Sequence, residues 1–170
     1  MSATTSPVTV EEYLKMAPEP DCEYVGGILE ERAVGERDHA AWQEALIGWF
    51  RDHKIEWGIF VYPELRVQVG VNRFRVPDVT ILSRNGPREQ IITHPPLAVF
   101  EILSPEDRMT RMLEKLADYQ QMGIAAIWVI EPKKPAYFQF IEGRLEPATV
   151  FQLPGAGFSV PMAEIAALID

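Results

Sequence analysis

Two apolar runs each carry one acid near their middle: Val76-Pro77-Asp78-Val79-Thr80-Ile81-Leu82 and Leu97-Ala98-Val99-Phe100-Glu101-Ile102-Leu103. Short apolar runs bounded by turn residues read as buried strands. A carboxylate inside such a strand costs on the order of several kcal/mol unless a partner or a cation satisfies it. Asp78 and Glu101 lie 23 residues apart, which suits two strands joined by a loop and lets both side chains reach one cleft. Two such acids in neighbouring strands imply a shared cation.

The rest of the chain frames those strands. Thr9 and Glu12 stand at capping-box spacing ahead of Tyr13-Leu14 and predict a short helix over Val10 to Met16, ended by Pro18 and Pro20. Glu23-Tyr24-Val25 and Ile28 to Glu31 flank Gly26-Gly27, the composition of a two-residue hairpin. Ala41, Ala45, Leu46, Trp49 and Phe50 return at helical spacing and predict a helix over Arg37 to His53, covering one face of a sheet. From Ile59 the period falls toward two. Ile59 to Pro63, Leu65 to Val69, Phe74 to Leu82 and Leu97 to Leu103 read as strands of that sheet. Ser104-Pro105-Glu106 predicts the opening of a second long helix, running to Met122 and stopped by Gly123. Ala126 to Ile130 reads as the next buried strand, Tyr137 to Ile141 pairs with Glu146 to Phe151 across Glu142-Gly143, and Phe158 to Asp170 ends in a short turn of helix.

Composition limits the partners. The chain of 170 residues, 47% hydrophobic and 24% charged, has room for a single domain with a real core. Its formal charge of -9 argues against a generic phosphate-coating surface. The charge is unevenly spread: residues 11–38 hold nine acids against three bases, whereas residues 66–88 hold five arginines against Asp78 alone. The basic segment therefore surrounds the suspected site. Cys22 is the one cysteine, which leaves no internal disulfide and no Cys-rich zinc cluster and fits a reducing cytoplasm. Met1 to Pro7 has no basic stretch leading into an apolar one, and no run approaches the roughly 18 apolar residues of a membrane span. The expectation is a soluble cytoplasmic protein with no membrane partner.

Asp78 and Glu101 offer hard oxygen ligands of the kind Mg²⁺ or Mn²⁺ takes, and the Ile102 carbonyl could add another. A cation so held suits hydrolysis of a phosphodiester. Arg108, Met112, Lys115 and Tyr119 stack in one row of the second long helix, which puts Lys115 on the flank of an apolar stripe and lets its ammonium turn toward the sheet. There it could orient a water or stabilise charge on phosphoryl oxygens. Arg66, Arg73 and Arg75 alternate around the central strands, where phosphates could meet them, and His39 and Tyr119 could likewise touch the substrate.

Val76-Pro77-Asp78, then Glu101-Ile102-Leu103-Ser104-Pro105, then Lys115 with Tyr119 and Gly123, then Trp128-Val129-Ile130-Glu131-Pro132 resemble the Uma-type restriction endonuclease family of the PD-(D/E)XK superfamily. The resemblance takes in Glu23-Tyr24-Val25-Gly26-Gly27 and His39 and covers nearly the whole chain. It implies an α/β fold of the restriction-endonuclease-like kind, a mixed central sheet flanked by helices. It divides residues 1–170, one domain, into an N-terminal helix and hairpin (8–35), a nuclease core (36–132) and a C-terminal hairpin and tail (133–170). It implies a divalent metal on Asp78 and Glu101 with Lys115 as the catalytic lysine, Glu23 and His39 completing the site, and nucleic acid, DNA in particular, as the partner. The third position of the D/E-X-K triplet is Leu103, so the lysine has moved to the following helix. A homodimer with two sites facing opposite strands of a duplex is consistent with the resemblance.

Each residue also has a plainer reading. Asp78 could bond its own backbone at a strand start, Glu101 could sit in a buried salt bridge with an arginine, and Lys115 could be a solvated helix-flank lysine. Glu23 could be an exposed hairpin acid, His39 a helix-start packing residue, Tyr119 a core residue, and the arginines a solvated face. The corresponding alternatives for function are a nuclease-fold module that binds nucleic acid or protein without cutting, and a structural homodimer.

Overall fold

Thr9 begins the first helix as its spacing predicts. Its hydroxyl accepts from the Glu12 N–H at 3.2 Å and the Glu12 carboxylate accepts from the Thr9 N–H at 2.7 Å, closing a capping box on α1 (Val10–Lys15). The structure, a computed structural model, describes residues 7–169. Met1 to Ser6 and Asp170 lie outside the described residues. β1 (Cys22–Val25) and β2 (Ile28–Glu31) form the expected hairpin, with Gly26 and Gly27 at φ of 57° and 94°, values that favour glycine. α2 (Arg37–Asp52) leads to β3 (Ile59–Pro63), β4 (Val67–Gly70), β5 (Arg73–Arg75), β6 (Val79–Ser83) and β7 (Ala98–Ile102). After α3 (Met109–Met122) come β8 (Ala126–Glu131), β9 (Ala136–Ile141), β10 (Arg144–Pro147), β11 (Val150–Gln152), β12 (Ser159–Pro161) and α4 (Met162–Ala166). Among the described residues no helix is long and apolar enough to cross a membrane.

The strands that the periodicity gathers into one sheet divide between separate sheets. Six strands in the order β10-β9-β8-β7-β6-β3 make a mixed sheet, and four in the order β2-β1-β5-β4 make an antiparallel one, with β11 and β12 paired apart. The single parallel pair of the larger sheet is β7 with β8, which α3 joins as a crossover. Phe74 to Leu82, expected as one strand, is thus two, β5 in the smaller sheet and β6 in the larger. Pro77 accounts for the break, because it brings no N–H to a ladder and its ring restricts Val76 before it. The chain changes sheets at Val76-Pro77-Asp78.

Alternation along β7 decides what each face of the large sheet carries. Ala98, Phe100 and Ile102 pack with Trp42, Leu46 and Phe50 of α2 and Met162 and Ile165 of α4 in the main core. Each fully buried Leu, Ile, Phe or Met among them contributes about 1.5–3 kcal/mol. Val99 turns the other way, against Met112, Leu116 and Tyr119 of α3. Glu101, two residues after Val99, falls on the α3 face too.

Two boundaries differ from the expectation for local reasons. α3 starts at Met109, five residues after Ser104. The Ser104 N–H donates to Asp107 Oδ2 at 2.6 Å and the Asp107 N–H donates to the Ser104 carbonyl at 3.0 Å, so a turn closed by a side chain replaces the first helical turn. Further on, β9 takes Arg144–Pro147 as its hairpin partner, and Val150–Gln152 turns away to pair with β12.

Candidate active site

Val79 opposes Phe100 in the β6–β7 ladder, so Asp78 and Glu101 come next in register, where opposed antiparallel residues lie about 4.5–5.5 Å apart at Cα. Both are buried, at 6% and 2% exposure. Asp78 Oδ2 accepts from the Ile102 N–H at 2.7 Å, which closes the end of β6 with a side chain in place of a ladder bond. In extended backbone the N–H and C=O of one residue point the same way. The Ile102 carbonyl therefore faces the side on which Asp78 stands.

α3 packs between the two sheets, and Lys115 reaches both. Its Nζ lies 2.9 Å from Glu101 Oε2 on β7 and 2.8 Å from Glu23 Oε1 on β1, and it donates to the Val76 carbonyl at 3.4 Å. One helical turn on, the Tyr119 hydroxyl donates to Glu101 Oε1 at 2.6 Å. Glu23 also accepts from the Val76 N–H at 2.8 Å and from Arg75 Nη1 at 3.0 Å. On the far wall His39 Nε2 stands 3.3 Å from Asp78 Oδ2, and Gln43 Nε2 donates to the Asp78 carbonyl at 2.9 Å.

These contacts set the charges. Burial pushes Glu101 up, Lys115 pulls it back, and the nearby Asp78 and Glu23 charges add to the rise, so the carboxyl is pushed up to about 7. Burial opposes charge on Asp78 as well, but His39, Lys115 and the Ile102 N–H outweigh it and hold that carboxyl below its ordinary value. Burial raises Glu23 and is outweighed by Lys115 and Arg75. Burial lowers His39, and its bond to Asp78 together with the charges of Asp78, Glu101 and Asp107 outweighs that and raises it. For Lys115, Glu101 and Glu23 overcome burial and favour the ammonium. The lysine is a source of positive charge and not a base.

Asp78, Glu101, Ile102, Lys115, Glu23 and His39 line one cleft of about 500 Å³. Three other expectations need correction. Arg75, at 0% exposure, is held by Glu23, Glu30 and Asp118 at 3.0, 3.0 and 2.8 Å, so it is a structural cation and cannot meet a phosphate. Arg73 is engaged by Asp118 at 3.0 Å and does not line the cleft. Tyr119 is buried behind Glu101 and acts on that carboxylate instead of on a substrate. Glu23, whose oxygens are bonded to Arg75, the Val76 N–H and Lys115, stands in the cleft as the lysine's second partner.

The sequence reading missed Arg32, Gln43 and Arg111, and put Arg108 in the Lys115 row without assigning it to the cleft. Arg32 joins Asp21 at 2.7 Å to Asp78 at 3.4 Å and lines the cleft, as do Arg108 and Arg111. Gln43 had a signal, since it stands four residues after His39 and so on the same face of α2. Arg32 had none, because its Asp78 partner lies 46 residues away in the chain.

The donor set fits a hard divalent cation better than a closed cage. Among the described residues no group of three or more His, Cys, Asp or Glu is placed to hold a metal. Mg²⁺ needs no such group, since one or two carboxylates suffice when water and phosphate supply the rest. Glu101 accepts two bonds and Asp78 has two long contacts, at 3.3 and 3.4 Å, so both keep acceptor capacity. Burial, and then the repulsion of Asp78 and Glu23, raises Glu101, and a cation between the acids would oppose both.

The model of the Uma2 family, described as a putative restriction endonuclease, matches residues 10–162. A solved structure from Anabaena variabilis ATCC 29413, described as a putative nuclease belonging to DUF820, is similar with a TM-score of 0.81 at 21% identity, over 96% of this chain and 100% of that one. At that identity the likeness speaks for the fold, the restriction-endonuclease-like mixed sheet flanked by helices. No curated protein matches the chain. Because the family match runs through every residue of the cleft, from Glu23 to Lys115, the chain belongs to the Uma2 family.

Proposed function

We propose that the chain is a metal-dependent endonuclease of the PD-(D/E)XK type that hydrolyses phosphodiester bonds of nucleic acid, DNA above all, in the cytoplasm. The observation that carries this reading is the meeting of two buried strand acids and a helix lysine in one open cleft. Asp78, Glu101 and the Ile102 carbonyl would hold Mg²⁺ or Mn²⁺. When bound, the cation would supply Lewis acidity and positive charge at the phosphoryl group.

The chain's own residues do the rest. Lys115, kept as an ammonium by Glu101 and Glu23, donates to a nonbridging phosphoryl oxygen as charge builds there. The Ile102 N–H fixes Asp78 and Tyr119 fixes Glu101, so neither carboxylate has to reorganise. Arg32, Arg108 and Arg111 bring positive charge to a cleft wall that the acids would otherwise make repellent to phosphate.

The test is cleavage of supercoiled plasmid, linear duplex, single-stranded DNA and RNA with Mg²⁺, with Mn²⁺ and with EDTA. Cleavage that needs the cation and falls about 10²-fold or more in Asp78→Ala and Lys115→Met is expected. All substrates intact under every condition would sink the reading. A second reading, binding without cutting, is favoured by one contact: Lys115 already satisfies both Glu23 and Glu101 without a cation. It predicts salt-sensitive nucleic-acid binding that ignores metal.

A further inference from the structure

The basic segment 66–88 holds five arginines. Three are engaged: Arg73 and Arg75 by carboxylates, and Arg66 by the Tyr13 ring at 4.8 Å and the Met16 carbonyl at 3.0 Å. Arg84 and Arg88 have no carboxylate partner among the described residues. Both guanidinium groups instead stand over the ring of Phe60, at 4.7 and 6.0 Å from its centroid. They border a second cleft of about 540 Å³, lined by Phe60, Tyr62, Leu65 and Gln90 among others. Its one acid, Glu89, is engaged by Thr93 and His94 at 2.6 and 2.8 Å. In a chain of net charge -9 this is a cleft with free positive charge.

The cleft also offers flat faces. Tyr62 is 41% exposed, with its ring centroid 6.0 Å from that of Phe60. β3 is the end strand of the six-stranded sheet, and on it Tyr62 opposes Thr80 and Phe60 opposes Leu82. Opposed residues share a face, so both rings stand on the face that carries Asp78. At about 3.3 Å per residue they lie about 7 and about 13 Å along the strand from the level of Asp78. That is two to four steps of a stacked nucleotide strand at about 3.4 Å each.

We propose that this shelf binds an unpaired stretch of the nucleic-acid strand that enters the catalytic cleft. Arg84 and Arg88 take phosphates, one base lies on Tyr62, and another lies on the Arg84 guanidinium as that group lies on Phe60. A duplex would present phosphates but no base face to Tyr62, so the occupant is single-stranded. The inference rests on the nuclease reading above and adds where the strand runs and in what state.

The experiment is fluorescence anisotropy of the full chain, in EDTA to separate binding from cleavage. Probes are labelled oligothymidylate and oligouridylate of about 20 nucleotides and a duplex of the same length, at two salt concentrations. Single strands should bind more tightly than duplex. The R84Q/R88Q double variant should lose about tenfold or more in affinity and flatten the salt slope by about 1 to 2. Tyr62→Ala should lose about fivefold to 100-fold with the slope unchanged, and Tyr62→Trp should retain binding. The two oligomers compare a DNA strand with an RNA strand. Duplex bound more tightly than single strand, no binding at all, or unaltered binding by folded R84Q/R88Q and Tyr62→Ala would overturn the proposal. A parallel Mg²⁺ cleavage reaction keeps the two ideas apart. Shelf-dependent binding without cleavage removes the nuclease reading alone, and cleavage with unaltered binding in the variants removes the shelf alone.

Discussion

At Glu101, burial and two neighbouring carboxylates oppose the charge that Lys115, 2.9 Å away, favours, and the carboxyl rises to about 7. In the metal-free protein the folded state then holds a proton, between its ordinary value of 4.5 and about 7, that the unfolded chain has released. The contribution is therefore fully present below about 4.5 and lost as the pH rises through about 7. Wild-type stability in EDTA should consequently fall relative to that of Glu101→Gln as the pH rises from about 4.5 through about 7, read by urea unfolding across that range. The same variant should gain nothing from Mg²⁺, which separates a metal ligand from a merely strained acid. Tyr119→Phe removes the 2.6 Å bond that lowers Glu101, so it should cost about 1–3 kcal/mol in urea unfolding and move the acid limb of the cleavage profile upward. Asp78, Glu101 and Lys115 were legible because an acid leaves a mark on an apolar run and a lysine on a helix flank has a direction. Arg75 was misread because a sequence shows a charge and not its partners: Glu23, Glu30 and Asp118 lie 52, 45 and 43 residues away.

Between elements, Arg75 is the tie. It stands on β5 and holds Glu23 of β1, Glu30 of β2 and Asp118 of α3, so one guanidinium joins the small sheet to the helix that carries Lys115. Replacing it by Met would leave three carboxylates without their shared cation, a change worth about 3–5 kcal/mol. Urea unfolding should register that loss, and Arg73→Met, at a half-exposed pair, should cost about 1 kcal/mol or less. The helices and hairpins were readable from caps, glycines and periodicity. The strand break at Pro77 was in principle readable too, since proline cannot serve a ladder on both sides. The late start of α3 was not, because the Ser104–Asp107 turn and a helical N-terminus use the same residue types.

As a whole molecule the chain keeps Asp78 and Glu101, the acids proposed to hold the cation, at the large sheet and the lysine's second partner on the small one. Period-two alternation tells which face a residue takes but not which sheet it joins, which is why one sheet was expected where two stand. Mg²⁺ should raise the melting temperature of the wild type by mass action, about 2.7 kcal/mol at a hundredfold excess over its Kd, and leave Asp78→Ala unmoved. Beneath the small sheet, Tyr13 stacks on Tyr24 at 5.1 Å and Phe74 packs against both at an angle, at 5.4 and 6.1 Å, which holds α1 to β1 and β5. A tilt of that sheet would draw Glu23 away from Lys115 while Asp78 and Glu101 stayed in place. Slackening the aromatic trio would therefore release Glu23, one tether of the lysine, and leave Asp78 and Glu101 where they stand.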